Sequence, residues 1–509
     1  MYSDPGAPST GSLPLLRRPM MRRAKIFHFG PLHHAPTERE DGAIVEHAGG
    51  LCSLPMDWHC LGHASWLAEV SGLRLLFDPL LEDSHHGGVF EVYPPRTIDA
   101  EALRADFVFV SHRHPDHFDL PSLRRLAALD PESVVVTPDP LVASCAQRVG
   151  FRTVRIVPPE TTIDLDGPRL VTSPSPGASD PEWGVIVADQ EGVVYDQIDT
   201  SMGRPEQIRA FFQRVAFALG REPAPGEDIT RELVSLALVR WQPLLEVEAM
   251  LAGAIGFPFA AYAEEIERCA AIGARVVCPS SAGARHAGPY AFMNRLVYPV
   301  TEEQFVEDIT ARLPSTRAER HITGATYRVR NGAVTVDREG AKRAGLVTQV
   351  GPARDHDSFR PLEIPPIVDP NLDGRREPEL RSIAADWVRD ALVPALERAA
   401  RGRRLRWVLE IVLPATTDVY TIETSRPPTL TRADDDGWDV RCAVAGSLLV
   451  DVIEAHRHWG DLLLGGMLRA CSRAREVDTH GLRPIPLQPL FVYEAISYEE
   501  SIRRVLDRA

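Results

Sequence analysis

The sequence predicts an α/β sandwich followed by a smaller α+β domain, and three observations carry that prediction. From about residue 51 to 335, short apolar runs of β type alternate with helical stretches, the pattern of sheets covered by helices. A segment rich in Asp, Arg and Pro interrupts the pattern at 336–375, and a second set of strands and amphipathic helices fills 376–509. A chain of 509 residues also exceeds what one ordinary core organises.

The elements follow in order. Residues 1–50, rich in Pro, Gly and small polar side chains, read as a flexible N-terminal arm. "SWLAEV" and "LRLLFD" form a hairpin turning at Ser71-Gly72. A strand "FVFVSH", a helix "LPSLRRLAAL" and strands "SVVVTP", "TVRIVP" and "RLVTSP" come next. The pair "GVIVADQ" and "GVVYDQ" turns at Glu191-Gly192, helices are expected near 205–219 and 262–273, and "LVSLALVR" and "ARVVCPS" add strands. Residues 336–375 read as a linker. In 376–509, Leu380, Ile383, Trp387, Ala391 and Leu392 recur at helical spacing, and Pro394 should kink or end that helix. The strands "RWVLEIVL" and "VYTIETS" and the amphipathic "GSLLVDVIEAHRHWG" complete the second domain.

Composition narrows the function classes. With 44% hydrophobic and 25% charged residues the chain is of globular type, and a net charge of −15 argues against nucleic acid or anionic lipid as partner. No apolar run reaches membrane-spanning length, and the N-terminal stretch lacks the apolar core of a signal peptide. Seven scattered cysteines with no CxxC fit reduced thiols, so a cytoplasmic location is expected.

The chemistry concentrates in "SHRHPDH", residues 111–117. Residues two apart in extended chain point the same way, so His112 and His114 can face one centre. Asp116 and His117 fall on the next turn and can address a second. Imidazoles with a carboxylate are ligands that zinc, iron or manganese accept. The plainer alternative is a solvated polar loop, but three histidines at this spacing after a buried strand have no packing role.

This motif has the His-x-His-x-Asp-His form of the metallo-β-lactamase superfamily, and "GHASWL…LLFDP" resembles that superfamily's first hairpin. The branch resembled includes ascorbate-phosphate lactonase and the N-acyl-phosphatidylethanolamine phospholipase D, over roughly residues 55–330. The resemblance implies an αββα sandwich with a binuclear metal site at one sheet edge. It also implies a bridging ligand at Asp199 in "VVYDQIDTS", where the competing reading is a turn or helix cap, and a proton-handling role for Asp116.

Two departures from the family pattern change the expected reaction. Where the family supplies a third imidazole to the first metal, "VTSPSPGASDPEWGVIV" has none and offers Asp180 and Glu182. Where the family closes the second metal with a late histidine, "VVCPSSAGARHAGPYAF" has Ser281, with His286 five residues on. His286 either reaches back to the metal or lines the pocket. His112, His114 and Glu182 would form the two-histidine, one-carboxylate set of nonheme iron, whereas a zinc hydrolase favours neutral nitrogen ligands that keep its bound water acidic. The expected cofactor is two iron ions held by His112, His114, Asp116, His117, Glu182, Asp199 and His286, the alternative two zinc ions.

The expected activity is that of a nonheme diiron monooxygenase with an external electron donor, acting on a bulky hydrophobic small-molecule or acyl substrate. The alternative is a zinc hydrolase of a phosphodiester, thioester or lactone. "PSSAGARHAGPYAFMN" is similar to the late segment of the CMP-N-acetylneuraminate hydroxylases, although their Rieske cysteine–histidine pairs are absent. In size and in its carboxylate-rich site the chain also resembles the lactamase-fold diiron monooxygenases of diterpenoid antibiotic biosynthesis. That likeness implies a terpenoid acid or its CoA thioester as substrate, in bacterial secondary metabolism. The segment 376–509 resembles the sterol-carrier-protein-2-like fold, which implies an apolar cavity; the competing reading is a dimerisation module with a filled core, hence a homodimer.

Other residues read more plainly. His63 is either a rim contact or a buried structural histidine, and Asp78 a structural cap that steadies the metal loop. His85-His86 and His33-His34 read as solvated loop residues, with overhang of the pocket as the alternative; Phe257, Phe259 and Tyr262 as core, with an apolar pocket wall as the alternative; and His456 and His458 as solvated helix positions.

Overall fold

The computed structural model describes residues 25–28, 54–176, 180–221, 233–243, 245, 256–294, 298–351, 364–400, 402–425, 428–432, 437–478, 481–484, 487–492, 502–504 and 506. His33-His34 lie outside them.

Two eight-stranded sheets face each other. The first runs in the order Lys25–His28, Thr161–Asp164, Arg169–Thr172, Val185–Ala188, Val193–Asp196, Leu236–Val239, Val276–Pro279, Arg317–Ala318. The second runs Thr153–Ile156, Val134–Thr137, Phe107–Phe109, Leu73–Phe77, Ser65–Val70, Met56–Gly62, Thr326–Arg330, Ala333–Asp337. Period-two alternation sorts the side chains. Val194 faces the inter-sheet core with Trp58, Trp66, Phe77 and Trp183, while Val193 and Tyr195 face the helices Pro205–Ala218 and Phe259–Ile272. On the other sheet Phe77 turns inward and Leu76 outward, against Leu120–Leu129 and Pro140–Arg148. The result is four layers, helix–sheet–sheet–helix. Each fully buried Leu, Val or Phe in these faces contributes about 1.5–3 kcal/mol.

Each sheet changes from antiparallel to parallel pairing part-way across. The change falls between Val193–Asp196 and Leu236–Val239 in one, and between Leu73–Phe77 and Phe107–Phe109 in the other. Ligand sites of open α/β sheets gather beyond the carboxyl ends of strands at such points. Asp78, the histidine motif and Asp199 all follow strand carboxyl ends there.

Three local outcomes differ from the sequence expectation. Lys25–His28, inside the expected flexible arm, pairs antiparallel with Thr161–Asp164. Part of the expected linker belongs to the sandwich: Ala333–Asp337, paired with Thr326–Arg330, runs past its start, and Val347–Gln349 pairs with Arg96–Ile98. Of the two expected outcomes, Pro394 does not end its helix, which shows a local irregularity instead. Glu377–Trp387 passes through a wide π-type turn, Val388–Leu392, into Val393–Ala400, and the turn absorbs the missing N–H.

The C-terminal part is a five-stranded sheet ordered Thr429–Thr431, Thr417–Glu423, Arg406–Val412, Val440–Ala445, Leu468–Ser472. Its core includes Trp387, Trp407, Trp459 and Leu449, all buried, and it continues into Val89, Phe90, Ala284 and Tyr290 of the first part. Arg457 donates to Gly87 O at 2.8 Å, so polar contacts reinforce this junction.

Candidate metal centre

The histidine motif is folded by its own sequence. Pro115 occupies the second position of a turn closed by His117 N–H donating to His114 O at 3.0 Å. Asp119 then caps the helix Leu120–Leu129, accepting from Ser122 N. Arg113 points the other way and binds Asp139 with two hydrogen bonds, at 2.5 and 3.0 Å.

Two groups of ligand atoms result. His112, His114 and Asp199 form one, and His63, Asp116 and His117 the other, each with its donor atoms within 4.8 Å of one another. Within the first, His112 Nε2 stands 2.8 Å from His114 Nδ1 and 3.7 Å from Asp199 Oδ2. Within the second, Asp116 Oδ2 lies 3.2 Å from His63 Nε2 and 3.4 Å from His117 Nε2. Asp199 Oδ2 reaches across to His117 Nε2 at 3.2 Å, so one carboxylate touches both groups.

The surroundings hold these rings still. Asp78, buried at the end of Leu73–Phe77, accepts from Ser111 N, Ser111 Oγ and His117 Nδ1 at 2.7, 2.7 and 2.9 Å. Ser111 Oγ also stands 2.9 Å from His112 Nδ1. Each motif histidine near Asp78 thus keeps one nitrogen anchored and one turned to the centre, the arrangement of metal-ligating imidazoles. Asp199 is set by Ile198 at φ 56° and by Arg240, whose Nη1 donates to Asp199 O at 3.2 Å.

The electrostatics follow from burial and proximity. Burial pushes the Asp116 and Asp199 carboxyls up, but the His117 imidazole beside both holds them below the usual carboxylate range. Burial alone would lower His117; the two carboxylates raise it. His112, buried beside His117 and His114, is pushed well below its ordinary value and is neutral. Imidazole nitrogens and carboxylate oxygens converge on two points, with His63, His112 and His117 buried, Asp116 and Asp199 half-buried and His114 exposed, which is the donor set a pair of cations requires.

The remaining expected ligands are placed differently. Glu182 lies outside both groups; it hydrogen-bonds Ser175, and burial, with Asp199 nearby, pushes its carboxyl up. Asp180 pairs with Arg113 at 3.1 Å. His286 is not brought to either group. Its Nε2 donates to Leu464 O at 2.9 Å and its backbone N–H to Asn294, committing the ring to the junction with the C-terminal part.

Several plain readings are corrected. His63 stands within the second group. His85 and His86, expected in a solvated loop, are 6% and 8% exposed. His458 is largely buried, with Nε2 3.2 Å from Asp461. Phe259, expected in the core, is 78% exposed and with Phe257 and Tyr262 walls a groove of about 880 Å³. No local pattern separated His85-His86 from a polar loop, because their burial comes from chain remote in sequence.

Comparison with known proteins agrees with this architecture. The model of the beta-lactamase superfamily domain matches residues 58–181. A UPF0173 metal-dependent hydrolase of Opitutus terrae is 35% identical over 98 residues, 19% of this chain and 37% of that protein. The mitochondrial N-acyl-phosphatidylethanolamine-hydrolyzing phospholipase D of Saccharomyces cerevisiae is 33% identical over 103 residues, 19% of this chain and 20% of that protein. The chain therefore spans well under half the length of these curated relatives. Among solved structures, CmlA, a diiron beta-hydroxylase from Streptomyces venezuelae, aligns with a TM-score of 0.35 at 17% identity, covering 54% of each chain. No described helix is long and apolar enough to cross a membrane. Residues 58–181, which bear the histidine motif, are thus similar to the beta-lactamase superfamily domain.

Proposed function

We propose that this protein is a nonheme diiron monooxygenase that hydroxylates a bulky hydrophobic substrate, with electrons from an external donor. One observation carries the reading: the first group consists of two imidazoles and a carboxylate, His112, His114 and Asp199, with the Glu182 carboxyl as the nearby acid. That donor set suits iron and leaves positions open. Bound there, a pair of irons would supply dioxygen activation. The chain's own residues do the rest. His112, His114, Asp116, His117 and Asp199 would hold the ions, and Asp78 and Ser111 keep His117 and His112 turned toward them. Asp116, between His63 and His117, is placed to hold or release a proton at Oδ2.

A second reading rests on the relatives, which include a metal-dependent hydrolase and a phospholipase D. In it two zinc ions activate water to cleave a phosphodiester, thioester or lactone. Metal analysis with oxygen uptake tests the choice. Iron-loaded protein that consumes oxygen in a substrate-dependent way supports the first. Protein that takes up only zinc and hydrolyses a generic phosphodiester equally well without oxygen overturns it.

A further inference from the structure

The His63–Asp116–His117 group offers two nitrogens and one oxygen, one donor short of the four that hold a metal firmly. Beside it stands an imidazole with one nitrogen left unpartnered. His85 is buried, and its Nε2 has no hydrogen-bond partner. A buried polar atom left in that state destabilises the fold unless something binds it.

Its ring stands beside the group, although its nitrogens fall outside the 4.8 Å that gathers the three donors. The His63 and His85 ring centroids are 5.8 Å apart, close to the 5.5 Å between His63 and His117, a pair already in the group. The ring is fixed from behind, stacked on Phe90 at 5.2 Å with the planes 8° apart. Its other nitrogen, Nδ1, lies 2.7 Å from His86 Nδ1. If His85 donates in that bond, the lone pair stands on Nε2, the free side. Burial, with His86 adjacent, also keeps the His85 imidazole neutral, the form that ligates. The loop is held in this arrangement at a conformational cost: His86, Gly87 and Gly88 have φ of 51°, 60° and 84°, and a left-handed histidine persists only where its surroundings demand it.

We infer that His85 supplies a further nitrogen ligand, through Nε2, to the metal held by His63, Asp116 and His117, with His86 fixing its ring. The inference rests on the dinuclear reading above. It assigns to the segment between the first hairpin and Phe90 a direct part in metal binding.

Calorimetric and optical titration of the full metal-free chain with Co²⁺ tests it. The wild type is expected to bind two Co²⁺. His85→Ala should weaken one of the two sites by roughly 100-fold or more, beyond the 10- to 100-fold loss usual for a residue that only orients a ligand. It should also change the visible Co²⁺ spectrum, and added imidazole should restore both. His86→Gln should weaken the same site by a smaller factor. Thermal unfolding of the metal-free variants separates ligand loss from misfolding, and His85→Gln serves if the alanine variant does not fold. If the wild type binds two Co²⁺ and the His85 variants do so with unchanged constants and spectrum, the ligand role is overturned and the dinuclear reading stands. A wild type that binds fewer than two overturns both.

Discussion

Asp78 Oδ2 lies 2.9 Å from His117 Nδ1, and both residues are about 99% buried. The same carboxylate takes the Ser111 hydroxyl, which in turn touches His112. One acid at a strand end thus orients an imidazole in each ligand group. Asp78→Asn preserves the shape but places an NH₂ against groups that are themselves donors. Metal affinity of this variant should fall 10- to 100-fold while the fold survives, as read by chelator competition and thermal unfolding.

Gly283 packs against the backbone of His63. A Cβ at 283 would stand 2.6 Å from His63 N and 2.7 Å from its Cα, atoms that cannot rotate away. Gly283→Ala should therefore destabilise the protein by about 1–3 kcal/mol. It should also weaken the metal held by His63, Asp116 and His117 more than that held by His112, His114 and Asp199. Equal weakening of both sites in a metal titration would count against this local effect.

His286 gives a pH dependence. Burial lowers its imidazole from 6.5 to about 4, with the Leu464 carbonyl opposing the shift. The unfolded chain then binds more protons than the folded one between those two values. The stabilising contribution is present in full above pH 6.5 and is lost as pH falls toward about 4, a loss of the order of 3 kcal/mol. The melting temperature of the metal-free protein should drop across that window. In His286→Gln, which keeps a donor for Leu464 O, the drop should be shallower.

Much of this fold was written locally. Ser71-Gly72 marked the hairpin of Ser65–Val70 and Leu73–Phe77, and "LPSLRRLAAL" the helix Leu120–Leu129 behind its Asp119 cap. The spacing of His112 and His114 put them on one centre, and they stand together in one group. What escaped the sequence depended on distant chain. His85 and His86 are buried by Phe90, by each other and by the neighbourhood of His458, 372 positions beyond His86. His286 is committed to Leu464, 178 residues on. The last hairpin of the sandwich, whose turn lies just before the expected linker, did leave a signal. Asn331-Gly332, at φ 49° and 75°, is a two-residue hairpin turn that the charged composition around it obscured.

Phe90 joins the two parts of the chain at the site. It belongs to the core shared with the C-terminal sheet, stacks on His85, and stands 4.3 Å from the His286 ring. Phe90→Ala should remove about 3–5 kcal/mol through cavity formation. Because the ring also backs His85, metal affinity should fall in the same variant, whereas Phe90→Leu should recover most of the stability without the flat face that orients the imidazole. Thermal unfolding and Co²⁺ titration of the two variants separate these roles. A leucine variant that regains stability but stays weak in metal would mean that the aromatic face, beyond its volume, positions the histidine. One that regains both would reduce Phe90 to packing.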